Sequence, residues 1–216
     1  ETNVIRVKNR AEVDGHIGAI FAALSRDEAR ARLDRGAIAY GFVNEVADLA
    51  RHPALRRAIA AYLSSARGVT CDPTTVVVTS GVRESLGLLA RLLVDPGDAV
   101  WVEEPGYWGV RDTLSALGLT PVPVPVDAQG LSVASGIGLE PGARLAVVAP
   151  AHHWPLGVTM SLPRRLELLA WAESVGAWVV EDDYDGEYRY AGRPLAPLRA
   201  LDGGRRVIYL GTFSKV

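Results

Sequence analysis

A chain of 216 residues with a net charge of -2 and 49% hydrophobic residues fits a globular fold with one sizeable core. Near-balanced charge leaves no basic footprint for nucleic acid or an acidic membrane surface. The single cysteine, Cys71, excludes an internal disulfide and fits a reducing compartment. No helix start or basic neighbour activates its thiol, so it reads as a small packed residue. No apolar run of about 18 residues occurs, and the opening ETNVIRVKNR lacks the form of a signal peptide. These features point to a cytoplasmic protein, with neither a membrane nor, through this segment, a nucleic acid among its partners.

Residues 1–50 form an N-terminal segment of uncertain role. Within it, SRDE (25–28) reads as a capping box, with Ser25 as N-cap and Glu28 at N3, opening a helix. From residue 51 the pattern is regular. ALRRAIAAYLSSARG (54–68) has helical periodicity and closes on Gly68. TTVVVTSG (74–81) is β-branched and reads as a strand. ESLGLLARLLV (84–94) reads as a helix apolar on most faces, hence buried. AVWVEEPG (99–106) is a strand and turn, VRDTLSALG (110–118) a helix, and TPVPVPV (120–126) an extended run whose prolines confine it to an edge or bulge. RLAVVAP (144–150) is a strand. SLPRRLELLAWAESVG (161–176) is a helix from Ser161 to Gly176. AWVVED (177–182) and RVIYLGTF (206–213) are further strands.

Strands alternating with helices predict an α/β fold with a mostly parallel sheet, whose strands read as continuous apolar runs because both faces are covered. Ligands of such sheets gather at the carboxyl ends of the strands. That rim would carry TSG, EEPGY, APAHHWPLG, EDDYD and GTFSK. Each piece admits a functional and a plain reading. Gly81 before a helix start is either an anion cradle of backbone N–H groups or an ordinary strand–helix turn. Tyr107 either stacks on a flat ligand or covers the core. Adjacent His152 and His153 point to opposite sides of an extended chain, so a shared metal is not expected. Lys215, beside Thr212 and Ser214, is a phosphate ligand, a Schiff-base nucleophile or a solvated lysine.

The stretch WVVEDDYDGEYRY (178–190) packs five carboxylates behind an apolar run. A buried carboxylate needs a positive partner. A metal would want converging oxygen ligands, yet Asp182 and Asp183 diverge on a strand, and no metal site is predicted. A solvated acidic loop and a protonated ring nitrogen are the other readings. Asp182 and Tyr184, two apart and on one face, suit the last.

In their combined order, TSG, EEPGY, EDDYDGEYRYAGRPL and VIYLGTFSK resemble the fold type I, pyridoxal-phosphate-dependent aminotransferases of class I/II. The similarity is greatest to the aminotransferase-like domain of MocR/GabR-type bacterial regulators, and it covers about residues 50–216. It implies a three-layer αβα large domain over 51–216, incomplete at its C-terminal end, with pyridoxal 5'-phosphate as cofactor. Lys215 would form the Schiff base and move the proton. Asp182 would pair with the pyridinium nitrogen, Tyr184 would hydrogen-bond the ring oxygen, and Tyr107 would stack on the ring. Main-chain N–H groups of Gly81, Val82 and Arg83, with Thr212 and Ser214, would hold the phosphate. His153 would contact the ring oxygen or substrate. Asp183, Asp185 and Glu187 would lie at the surface or behind the site.

The chain departs from the family pattern where Val82 and Arg83 replace small or amide residues and where His153 replaces Gln. Tyr40 stands about six residues too far from Leu55 to match the tyrosine that reaches a neighbouring subunit. The resemblance implies an aminotransferase acting on an amino acid or amine and a 2-oxo acid, as a homodimer. The alternatives are a cofactor-binding effector domain of a MocR/GabR-type regulator, or another reaction on the same cofactor.

Overall fold

A computed structural model of the chain describes residues 9–37, 49–186 and 196–214. The chain divides into two compact units, Glu1–Glu45 and Val46–Val216. The first holds α1 (Arg10–Ala22) and α2 (Arg26–Arg35). The Ser25 capping box is formed: its side chain accepts from Glu28 N–H, and the Glu28 carboxylate accepts from Ser25 N–H at 2.9 Å.

The second unit is an α/β layer structure. Its elements are α3 (Pro53–Tyr62), continued by a π-turn Leu63–Arg67, then α4 (Val82–Leu93), β1 (Ala99–Glu104), α5 (Trp108–Ala116), β2 (Thr120–Asp127), β3 (Gly130–Leu131), α6 (Val133–Leu139), β4 (Leu145–Val148), α7 (Leu162–Val175), β5 (Trp178–Asp183), α8 (Leu198–Asp202) and β6 (Val207–Gly211). The sheet order is β3-β2-β1-β4-β5-β6, and every pairing is parallel except the short β2–β3 ladder.

Period-two alternation divides the strands between two cores. Val100, Val102, Leu145, Val147 and Val180 pack with Leu86 and Ala90 of α4 and Leu114 of α5. Trp101, Ala146, Val148 and Val179 pack instead with Val133 of α6, Leu168 and Trp171 of α7, and Leu198 of α8. Helices therefore cover both faces, which is why these strands are apolar throughout.

The prolines of β2 fall at 121, 123 and 125, opposite Val100, Val102 and Glu104. Successive residues of a strand turn their hydrogen-bonding groups to opposite sides, so all three occupy the side away from β1. The Pro125 carbonyl accordingly accepts from Ser132 N–H beyond the β3 turn (2.8 Å). The missing amides thus cost the β1–β2 ladder nothing.

Two expectations need correction. TTVVVTSG is not a sheet strand. It opens as a 3-10 turn, Pro73–Thr75, because the Asp72 carboxylate captures both the Thr74 N–H (2.7 Å) and its hydroxyl (2.6 Å). Beyond the turn Val77 is 66% exposed, and β-branched composition makes no strand without a ladder neighbour. Helix α4 is buried only along Leu86, Gly87 and Ala90, whereas Leu88 and Leu92 are exposed. The short elements β3, α6 and α8 carry too few residues to declare a period in the sequence.

Trp101 anchors the larger core. It is fully buried, stacks on Trp171 with centroids 3.7 Å apart, and donates from Nε1 to the Glu140 carbonyl at 2.9 Å. Trp101→Ala is expected to cost about 3–5 kcal/mol in urea unfolding. A loss below about 1 kcal/mol would contradict this packing.

Candidate cofactor site

The carboxyl ends of β1, β4, β5 and β6 share one rim. There they border a cleft of about 1370 Å³, which is also lined by the run 75–82 and the start of α5. Of the residues singled out in the sequence, Gly81, Val82, Tyr107, Asp182, Tyr184, Thr212 and Ser214 line it. Arg83 instead lays its guanidinium over the Trp108 ring, 5.3 Å from the centroid. His153 is 2% exposed and sits behind the wall, its Nε2 3.7 Å from Glu103 Oε2. Lys215, Tyr40 and Glu187 lie outside the described residues.

The acidic stretch now resolves residue by residue. Glu181 turns to the α8 side, where its two oxygens accept the Leu198 and Arg199 amides at the helix start, each at 2.9 Å. Asp183, expected at the surface or behind the site, is buried: it pairs with Arg67 and accepts the Tyr209 hydroxyl at 2.5 Å. Asp185 hydrogen-bonds His152. Asp182 has the opposite parity to Glu181 and Asp183, so it faces the α4–α5 side and lines the cleft.

The electrostatics of the cleft disfavour negative charge. Burial raises the Asp182 carboxyl to about 6, and the Asp185 charge adds to the effect. Burial raises Glu103 to about 8; the Ala149 N–H bound to it (3.1 Å) opposes this and Asp182 reinforces it. Burial also raises the Tyr184 phenol to about 12 and lowers the His153 imidazole, so both stay neutral near pH 7. A cation beside Asp182 would reverse the shift at that carboxyl.

The start of α4, which lines the same cleft, offers the reverse polarity. Gly81, at φ 155 and ψ 176, is the N-cap of α4 and lets the chain turn directly into the helix. The first amides of α4 have no partner within the helix and carry the positive end of its dipole. Beside them Thr79 and Ser85 share a 2.6 Å hydroxyl contact. The Thr212 hydroxyl, which also lines the cleft, donates to Ser214 Oγ (2.9 Å) and accepts the Ser214 amide (3.1 Å) in a compact turn. Tyr107, the N-cap of α5, meets Trp154 edge-on at 6.3 Å.

A profile of the family "Aminotransferase class I and II" matches residues 22–216. The chain belongs to the class I and II aminotransferase family. Among curated relatives, the probable rhizopine catabolism regulatory protein MocR of Rhizobium meliloti is 48% identical over 164 residues, covering 76% of this chain and 33% of that protein. Aromatic-amino-acid aminotransferase 1 of Thermococcus litoralis is 34% identical, covering 75% and 40%. Among solved structures, an archaeal alanine:glyoxylate aminotransferase superposes with a TM-score of 0.71 at 36% identity, covering 76% of this chain and 42% of that one. The chain thus spans less than half the length of these aminotransferase-family relatives.

The family implies pyridoxal 5'-phosphate as cofactor, and the residues fit it. Asp182, whose carboxyl pKa burial holds above its ordinary value, and the N-terminus of α4 both line the cleft, features suited to a cationic nitrogen and to a dianion. Sequence reasoning missed Glu103 and the Arg67–Asp183–Tyr209 cluster. Only the position of Glu103 at the end of an apolar strand hinted at the former, and no local pattern joins Arg67 to residues more than a hundred positions away.

Glu103 makes a pH test. Because its folded value of about 8 exceeds the ordinary 4.5, the folded state holds the extra proton, and stability falls as pH rises between those values. Glu103→Gln keeps an oxygen for Ala149 N–H and removes that slope. It is expected to match wild type at pH 5 in urea unfolding and to exceed it at pH 8 by on the order of 2 kcal/mol. A variant less stable than wild type at pH 8 would contradict a neutral Glu103.

Proposed function

We propose that this chain is the cofactor-binding part of a pyridoxal-phosphate-dependent protein that acts on an amino acid or amine, with a 2-oxo acid as the companion substrate of transamination. The observation that carries this reading is Asp182, a carboxylate at the carboxyl end of β5 that lines a cleft also lined by Gly81 and Val82 at the start of α4.

In this reading each residue has one task. Asp182 accepts the ring N–H and keeps the ring protonated. The Tyr184 hydroxyl donates to the ring oxygen, a role that needs the phenol neutral, as burial keeps it. Tyr107 lies against the ring and excludes water from its face. The amides at the start of α4, with the Thr212 and Ser214 hydroxyls, hold the phosphate. Lys215 anchors the cofactor and carries the proton at the reacting carbon. The bound cofactor supplies an electron sink, and the protein supplies orientation and electrostatics. The protein works in the cytoplasm as a homodimer.

A second reading is favoured by one comparison. Identity is higher to MocR, at 48%, than to the Thermococcus aminotransferase, at 34%. On that reading the same cleft senses an amine for a regulator and releases no product. The two share every contact above and differ only in turnover.

Asp182→Asn removes the charge that holds the ring proton. In the intact protein it is expected to lower 2-oxo acid formation by roughly 10²-fold or more while the melting curve is retained. Unchanged turnover would refute the assignment. Lys215→Ala is expected to abolish the visible absorption of bound cofactor. Wild-type protein that holds the cofactor, binds amines and forms no 2-oxo acid would establish the sensing role.

A further inference from the structure

Arg67 ends the π-turn after α3, yet its guanidinium lies among groups of the β5–β6 rim. It pairs with Asp183, donates from Nη1 to the Gly186 carbonyl (2.5 Å) and from Nε to the Tyr209 hydroxyl (3.3 Å). The Tyr209 hydroxyl donates in turn to Asp183 Oδ2. The Arg67 and Asp183 side chains are 10% and 2% exposed, so the pair is screened little by solvent. One cation therefore grips both ends of the 183–186 turn. That turn carries Tyr184, and Asp182 directly precedes it. A Cβ at Gly186 would fall on the Arg67 guanidinium and the Asp183 carboxylate, so any larger residue there would have to displace the clamp.

A partly buried carboxylate gains by swinging toward water, and the backbone on either side must resist. Strand β5 holds one side through its pairing with β4 and β6. Past Asp183 the ladder stops, and Arg67 takes over. We propose that Arg67 is a positioning residue for the cofactor: through Asp183 and the Gly186 carbonyl it fixes the turn that aims Asp182 and Tyr184 at the ring. This inference rests on the assignment of Asp182 and Tyr184 to the ring made above.

Removing Arg67 alone would strand a buried Asp183 charge and endanger the fold. The test therefore uses the paired variant Arg67→Met/Asp183→Asn, which removes both charges and leaves an acceptor for Tyr209. Wild type, Asp182→Asn and the paired variant are compared as intact protein in three measurements. These are melting of the cofactor-free form, titration with pyridoxal phosphate, and the pH midpoint of the bound cofactor's visible band. The paired variant is expected to melt within about 4 °C of wild type. It is expected to bind the cofactor roughly tenfold more weakly, as when a supporting partner behind a ligand is lost, and to move the pH midpoint in the same direction as Asp182→Asn. If Asp182→Asn shifts affinity and midpoint while the paired variant leaves both at wild type, the clamp has no positioning role. If the paired variant loses melting temperature and affinity but keeps the midpoint, Arg67 is only structural and the inference fails. If Asp182→Asn changes neither quantity, the ring assignment itself fails and takes the inference with it.

Discussion

Three consecutive carboxylates close β5, and the two-residue period of a strand sends the middle one to the opposite side from its neighbours. Everything at the rim follows from how the three charges are accommodated. Glu181 meets the first amides of α8, and Asp183 meets a guanidinium and a phenol. Each is buried with donors arranged around it, as buried carboxylates require. Asp182 is left facing an apolar-walled cleft, and its charge becomes conditional on what enters. The two neighbours tie the strand end to α8 on one side and to Arg67 and Tyr209 on the other.

The cleft is lined by groups of opposite character. Asp182 and Glu103 are both shifted toward the neutral acid by burial. Helix α4 begins at Gly81 with amides that have no helical partner. Such a lining suits a ligand with a cationic ring nitrogen and a dianionic tail. Tyr107 and Trp154 give the cleft an aromatic wall, which suits a flat ring.

Much of this was legible in the chain, because the rules that govern it are local. The long helices announce themselves by caps: Ser161 accepts the Arg164 amide, and Gly176 closes the same helix at φ 70. The parallel strands announce themselves as apolar runs covered on both faces. The acidic stretch told that a positive partner was needed but not which carboxylate needed it, since Asp183 finds its own in Arg67, 116 residues earlier. Contacts at that separation leave no mark on periodicity. TTVVVTSG misled for the opposite reason: its β-branched residues satisfy the local rule, while the ladder that makes a strand depends on a neighbour. His153 stood in a motif of the rim, yet its ring packs inward, where the chain bends at His152 and turns so that the Gly157 amide meets the His153 carbonyl.

The alternating prolines of β2 give the sheet a direction of growth. Along most of its outer margin that strand has no amide hydrogen to offer, so beyond the two residues of β3 no further chain can be stitched on there. The other margin is β6, a strand with its full complement of amides and, among the described residues, no neighbour on its far side. Any polypeptide that extends this sheet must therefore arrive beside β6, the border of the cofactor cleft. Enlarging the sheet and walling in the cleft are in this architecture one event.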